Sequence, residues 1–387
     1  MMIVRNPLSV FTLATGIGLL ALQQSAYAHE NHLSVDDLFA KAQVVAGPDL
    51  VECTLSGGTS TRCISITVKA EPTTYTPGPW CPQNINDGAE HGGIWLQGGQ
   101  VYDVDGAFIK NLSRFYDDST WQLYDAETGK IRVTDSLESC QAAARPNVAP
   151  EYQNHCVECL PEYMGEDATL TFTLPLTPVR TEGRTFSTRG SGVGVALNGV
   201  RLDGPAPVDA ILGSYTLAPF DDCGGHVNLA VGYHYHAATD CLADTAVADD
   251  HGQVIGVAMD GYLIMARQDN DGTVPDDLDA CGGHMVDDTY HYHAGAAGSN
   301  AILNCLVAEA GCVSSDPDAV CDATATRGHG GGRPPGRRPD FAAAAARLGV
   351  SEAELMSAVG GPPPNLQRAS EQLGLPIQQI MEALGRR

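Results

Sequence analysis

Alternation of apolar and polar residues sets the character of most of the chain. Over residues 51–70 it reads VECTLSGGTSTRCISITVKA, two alternating runs around a Gly-Gly pair, which predicts a hairpin. The run GGIWLQGGQVYDVDGAFIKNLSRFYDD predicts short strands broken by glycine and Asp-Gly turns, and WQLYDAETGKIRVTD predicts another hairpin turning near Thr128-Gly129. LTFTLPL and the stretch around Val193 to Val200 predict further strands, with Asn198-Gly199 as a hairpin turn. HGQVIGVAMDGYLIMAR predicts a buried strand, a turn and a second strand. Before all of this, VDDLFAKAQVV reads as a short helix or tail, and Cys140 to Arg145 as one helical turn. Between 49 and 320 no stretch keeps a 3.6-residue period for long.

The pattern changes at the C-terminus. RGHGGGRPPGRR cannot build a core and reads as a flexible linker. After it, DFAAAAARLGVSEAELMSAVG is echoed by NLQRASEQLGLPIQQIMEALG, each copy a helix, a glycine turn and a second helix, with Ser351 and Glu354 forming a capping box. The expectation is a mainly β protein: a disulfide-containing, β-rich, sandwich-like domain with a small C-terminal α-helical appendage. Its expected divisions are a signal peptide over 1–28, a β-rich region over 29–185, a domain with a duplicated unit over 186–320, a linker over 321–339 and a helical repeat tail over 340–387.

The first residues carry export features: Arg5, an apolar run from Leu8 to Leu22 too short for a membrane span, and the small-x-small site Ala26-Tyr27-Ala28. Cleavage after Ala28 would leave a periplasmic or secreted protein beginning at His29, with His32 close by as a second imidazole for Cu(II). The twelve cysteines suit an oxidising compartment. Proximity suggests Cys53–Cys63, Cys156–Cys159, Cys312–Cys321, Cys281–Cys305 and Cys223–Cys241, leaving Cys81 for Cys140; Cys156-Val157-Glu158-Cys159 is read as a disulfide rather than a metal or redox motif. The formal net charge of −25 argues against nucleic acid as a partner and favours cations. Only residues 327–387 run basic, with eight Arg against five acids, and they suit contact with a protein partner rather than DNA. Asp103-Val104-Asp105-Gly106 and Asp269-Asn270-Asp271-Gly272 resemble the start of a calcium loop but lack its distal Glu, and read as turns.

The most ordered feature is a pair of strings, CGGHVNLAVGYHYH ending at His236 and CGGHMVDDTYHYH ending at His293. Together they hold six of the chain's twelve histidines. In a strand, His234 and His236 share one face and Tyr233 and Tyr235 the other. His226, seven or eight positions earlier, is placed to return as a third imidazole. The candidate metal ligands are therefore His226, His234 and His236, with His284, His291 and His293 in the second copy. Imidazole-rich sets suit copper or zinc. Two sites, or one shared across a pseudo-twofold axis, both satisfy the pattern. His251 and Asp260 are further candidates for ligands or their supports, and Tyr262 for lining the cavity.

GVALNGV, CGGH…GYHYH, GVAMDGYLI and DLDACGGH…TYHYH with the following Cys305 give residues 190–310 a resemblance to the YHYH protein family. The resemblance implies an exported β-rich domain and implies no reaction. Three functions are consistent with the residues: an exported protein binding copper or zinc, a metal-dependent extracytoplasmic enzyme of hydrolytic or oxidative type, and a structural or surface-interaction protein whose YHYH strands are core.

Overall fold

The computed structural model describes residues 35–72, 74–144, 148–165, 167–181, 192–229, 231–324, 341–351 and 366–383, with Glu354, Leu355 and Ala358 between the last two. The expected signal segment, His29, His32, the Arg-rich linker and His329 lie outside the described residues.

Fifteen strands follow one another along the described chain: β1 (Val44–Thr54), β2 (Ser60–Lys69), β3 (Ile94–Gln97), β4 (Gln100–Asp103), β5 (Thr169–Pro175), β6 (Gly194–Ala196), β7 (Arg201–Leu202), β8 (Gly225–Asn228), β9 (Gly232–Tyr235), β10 (Val247–Ala248), β11 (Gly252–Ala258), β12 (Leu263–Asp269), β13 (Gly283–Val286), β14 (Thr289–His293) and β15 (Cys312–Ser314). Helices between them are short, none exceeding the seven residues of Leu137–Ala143. The N-terminal helix is confined to Val35–Leu38, because Val44 and Val45 already belong to β1.

Two sheets pack face to face. One has the order β1-β2-β5-β15, and the other the order β13-β14-β12-β11-β6-β7-β9-β8, with β10 at the edge of β11. Ile66, Val68 and Phe172 of the first share a buried core with Val195, Val257, Tyr235 and Tyr292 of the second. Strands from either side of residue 186 thus contribute to one apolar interior, which is the expected sandwich-like, strand-rich arrangement. A second cluster around Trp95, Trp121, Leu123 and Phe220 packs beside it.

The long sheet reads the same from either end. β6 and β7 form a hairpin, β7 runs parallel to β9, and β9 returns to β8; likewise β11 and β12 form a hairpin, β12 runs parallel to β14, and β14 returns to β13. The sequences agree: Gly194-Val-Ala-Leu-Asn-Gly-Val-Arg-Leu202 matches Gly256-Val-Ala-Met-Asp-Gly-Tyr-Leu-Ile264, 62 positions on. The halves meet where β6 pairs with β11, and there Val195 lies opposite Val257, Gly194 opposite Ala258 and Ala196 opposite Gly256. The doubled unit is therefore larger than the CGGH and YHYH strings, and includes the hairpin that precedes them.

All twelve cysteines are paired. Cys53–Cys63, Cys223–Cys241, Cys281–Cys305 and Cys312–Cys321 are as expected, but the remaining pairs are Cys81–Cys156 and Cys140–Cys159. Proximity in sequence misleads at Cys156 and Cys159 because that segment is extended, Cys156 bridging Val133 on one side and Leu217 on the other. Three residues of extended chain span roughly 10 Å, beyond the reach of a disulfide. Asp105 caps the helix Gly106–Lys110 through Phe108 N, so the first calcium-like string is a helix start. In the tail, the described helices Phe341–Leu348, Leu366–Leu373 and Ile377–Ala383 bury Ala344, Leu355, Ala369 and Ile380 together, and Ser351 and Glu354 form the reciprocal cap.

The seam between the halves leaves no room for a larger residue. A Cβ on Gly194 would lie 2.4 Å from the Val257 carbonyl oxygen. Gly194→Ala should destabilise the fold by about 1–3 kcal/mol, read as a lowered thermal midpoint. Gly165→Ala, whose Cβ meets nothing within 4 Å, should leave it unchanged.

Candidate metal centres

Each pair of terminal strands is a hairpin, and its register explains the spacing of the histidines. His226 on β8 lies directly opposite His234 on β9, and His284 on β13 directly opposite His291 on β14. The second hairpin turns through Asp287 and Asp288, both with positive φ, as a two-residue turn of matching twist requires. His236 and His293 follow two positions on and fall on the same face as their partners. The intervening tyrosines face the core, and Tyr233, Tyr235 and Tyr292 are fully buried.

The loop before each hairpin is built alike. Asp221 and Asp279 both stand two residues before the Cys-Gly-Gly-His, and their carboxylates accept from the backbone N–H of Cys223 and Gly225, and of Cys281 and Gly283. Tyr233 Oη donates to Asp221 at 2.7 Å and Tyr290 Oη to Asp279 at 2.9 Å. The paired glycines follow from this contact. Gly224 and Gly282 have φ of +80° and +90°, while a Cβ on Gly225 or Gly283 would fall 2.3 Å from the tyrosine oxygen. A third tyrosine-side contact is also repeated, with Asn198 donating to Tyr235 Oη at 2.8 Å and Tyr292 Oη donating to Asp260 at 2.5 Å. Burial pushes the Asp221 and Asp260 carboxyls up to about 6, against the hydrogen bonds that favour their charged forms.

On the opposite face the imidazoles converge into two clusters. His226, His234 and His236 form one, with ring centroids 4.8–5.0 Å apart and Phe220 against His226 and His236. His284, His291 and His293 form the other, joined by His251 from the turn between β10 and β11. In each cluster one ligand atom per residue lies within 4.8 Å of every other. All six expected residues are thus gathered three and three. His251 joins the second group, but Asp260 and Tyr262 do not. Asp260 is held on the tyrosine side by Tyr292 and the N–H of Ala308, and Tyr262 packs on Tyr290 and Tyr292. Five strand spacings separate β14 from β9, roughly 24 Å at 4.8 Å each, so the clusters form two separate sites.

Hydrogen bonds fix which nitrogen each ring presents. His234 Nδ1 meets Gly232 O at 3.0 Å, His236 Nδ1 meets Gly204 O at 2.6 Å, and His293 Nδ1 meets Ala266 O at 2.8 Å. A carbonyl oxygen only accepts, so each Nδ1 carries the proton and each Nε2 presents a bare lone pair. Gly204 and Ala266 are equivalent by the same 62-position offset. His284 Nδ1 meets Asp277 at 2.7 Å, and its Nε2 lies 3.0 Å from His291 Nε2 and 3.3 Å from His251 Nε2. His293 Nε2 is buried with no hydrogen-bond partner. Asp269 Oδ1 lies 3.1 Å from His251 Nε2 and 3.7 Å from His293 Nε2. Burial holds His226 and His234 well below the usual imidazole range and lowers His236 and His293; His291 is brought down to about 3, again mainly by burial and then by its neighbouring imidazoles. Neutral, converging lone pairs with backed Nδ1 atoms can hold a transition metal.

Asp269 and Asp277 are site residues that alternation and spacing leave hidden. Asp269 stands in the calcium-like DNDG string, which does form a turn through Asp271 and Thr273, yet its own carboxylate points to the histidines. The Asp221 and Asp279 pair was visible as a constant offset from the CGGH strings.

A strand-rich, disulfide-bonded domain with two histidine clusters on a doubled hairpin unit is the class of protein these observations define. Residues 171–277 match the family described as YHYH protein. The match begins earlier than the resemblance over 190–310 implied and stops before the second CGGH and YHYH strings, leaving His284, His291 and His293 beyond it. Neither curated proteins nor solved structures provide a match.

The protonation states have a consequence for acid stability. Histidines of the unfolded chain titrate near 6.5, whereas the folded rings are held neutral to lower pH, His291 to about 3. Unfolding therefore takes up protons as pH falls below 6.5, and the stability present above that value is lost through the window down to about 3. Asp221 and Asp260, raised to about 6, Glu158, raised to about 7, and Asp222, also raised by burial, oppose this below pH 7, but the five lowered rings outnumber them. In chelator, the thermal midpoint should fall as pH is lowered from 7 to 4, and more steeply than in His291→Gln. A midpoint that is flat or rises contradicts the assigned proton positions.

Proposed function

We propose that the protein binds a transition metal, copper or zinc, in two separate sites: His226, His234 and His236 in one, and His251, His284, His291 and His293 in the other. The observation that carries this reading is the orientation of the rings. Each of His234, His236, His284 and His293 is hydrogen-bonded through Nδ1 to a carbonyl or carboxylate, so that their Nε2 atoms turn toward one another, and among the described residues His293 Nε2 has no hydrogen-bond partner. A satisfied core histidine is bonded at both nitrogens; His293 is bonded at one. Nitrogen ligands without sulfur suit copper and zinc alike.

Export to the periplasm or the medium accompanies this reading. Six disulfides and no free cysteine favour an oxidising compartment. Among the described residues no helix is long and apolar enough to cross a membrane. The short helices of the C-terminal tail would serve contact with a protein partner.

Untagged full-length protein reconstituted with zinc or copper and desalted should hold about two equivalents by elemental analysis. His234→Ala should lose about one, His284→Ala/His291→Ala, which leaves the second cluster two imidazoles, should lose the other, and the combined variant both. Loss of all metal from either of the first two variants would contradict two independent sites. No retained metal in the wild type would sink the metal reading and leave the imidazoles a structural role.

A further inference from the structure

The two clusters differ in one respect that the repeat makes measurable. The second cluster has four imidazoles, with the Asp269 carboxylate beside two of them. Among the described residues the first has three. By the 62-position offset that aligns Gly204 with Ala266, the position matching Asp269 is Pro207, and the stretch 182–191, which would match the approach to His251, contains no histidine. Where the second copy supplies ligands, the first copy supplies the wall of a cavity. That cavity, about 380 Å³, is bounded at its base by His226, His234 and His236 and elsewhere by Trp80, Ala143, Glu158, Asp203, Pro207 and Ala218. Its size falls within the roughly 300–1,000 Å³ of small-molecule sites.

Resting on the metal reading above, we propose that the three-histidine cluster is an exchangeable centre whose metal keeps one coordination position facing this cavity, where it takes a small, uncharged, largely apolar molecule bearing one nitrogen or oxygen donor. The four-histidine cluster is the saturated, closed centre of the pair. Ligand count is the physical basis: metal sites that exchange a fourth ligand use three protein donors, and structural sites use four.

The chemistry of the walls sets the class of ligand. Three neutral imidazoles leave a divalent ion with its full charge, which repels a cation. The chain's net charge of −25 weighs against an anion, and two acids, Asp203 and Glu158, stand in the walls. Asp203 is already paired, with Arg201 at 3.0 Å and the N–H of Gly204 at 3.2 Å. Glu158 is different. Its carboxylate accepts only from Cys81 N, at 3.1 Å, and burial raises it to about 7, so a bound molecule meets a carboxyl able to donate as well as accept. Trp80 is fixed through its indole N–H to Gly225 O at 3.0 Å, on the strand that carries His226, and presents a rigid apolar wall.

Cobalt(II) is a suitable probe, since its visible spectrum reports a change of ligand at each site. Full-length His284→Ala/His291→Ala protein, which leaves the second cluster only two imidazoles, isolates the three-histidine centre, and His234→Ala the other, with cobalt stoichiometry read first. Imidazole titrated into the cobalt form of His284→Ala/His291→Ala should shift the spectrum with saturation, and should leave that of His234→Ala unchanged. Azide, as the anionic comparator, should bind the first at least tenfold more weakly than imidazole. Ala218→Phe in the otherwise wild-type chain fills the cavity, and should weaken the imidazole response at least tenfold while two equivalents of cobalt remain. Absence of cobalt from His284→Ala/His291→Ala and from the wild type would overturn the metal reading and this inference with it. Cobalt retained with no imidazole response, an equal response in both variants, or an unchanged response in Ala218→Phe would overturn this inference alone. Tighter azide binding would overturn the preference for an uncharged donor.

Discussion

The contact between a tyrosine hydroxyl and an aspartate carboxylate, made once in each half and fully buried in the first, holds the rest of the site in place. Tyr233 to Asp221 and Tyr290 to Asp279 tie the end strand of each hairpin to the loop that begins it. A strand has a period of two, so a slip of one residue would turn every imidazole into the core and every tyrosine toward the cluster. The contact makes that slip costly. A buried hydroxyl or carboxylate left without a partner costs about 1–3 kcal/mol; the first half would leave both, and the second the Tyr290 hydroxyl, since Asp279 is exposed. The glycines of CGGH exist to allow the approach, one by its backbone conformation and the other by its missing Cβ. Fold and site are thus set by the same few atoms, with core tyrosines on one side of β9 and β14 and converging nitrogens on the other.

The doubled unit shows how one scaffold can support two chemistries. The tyrosine side is nearly invariant between halves: the aspartate clasp, the second tyrosine contact through Asn198 or Asp260, and the disulfide leaving each CGGH loop all recur. The backing of the last histidine by a carbonyl recurs as well, from Gly204 in one half and Ala266 in the other. Divergence is greatest on the histidine face. His251 and Asp269 come from strand ends in one half. In the other, Trp80, Ala143 and Glu158 come from the N-terminal part of the chain and leave a cavity. The halves join at the Val195–Val257 seam and carry their histidine hairpins at opposite ends of the sheet, which is why the clusters do not merge.

Much of this was legible in the sequence, because it rests on local periodicity. The His-Tyr alternation assigns the two faces of β9 and β14, and the CGGH strings point to a returning strand. The hairpin at Asn198-Gly199 and four of the disulfides also follow from short-range pattern. What stayed hidden depends on contacts between distant segments. The true partners of Cys81 and Cys140 are set by an extended Cys156–Cys159 segment held between neighbours. Asp260 is adjacent to a motif yet serves the tyrosine side, because the β11–β12 turn delivers it behind the strand rather than before it. Asp269 looked like a turn residue, and its carboxylate acquires its role only when β12 lies beside β14. The match between GVALNGVRL and GVAMDGYLI was present in the sequence but carries meaning only as strand pairing.

X-ray absorption at the metal edge of the loaded, full-length protein tests the central claim most directly. Two centres built from Nε2 atoms predict a first shell of nitrogen, averaging between three and four protein donors per metal, with the outer-shell scattering of imidazole and no sulfur. A shell of oxygen alone, or one containing sulfur, would contradict the assignment of the metal to the two histidine clusters.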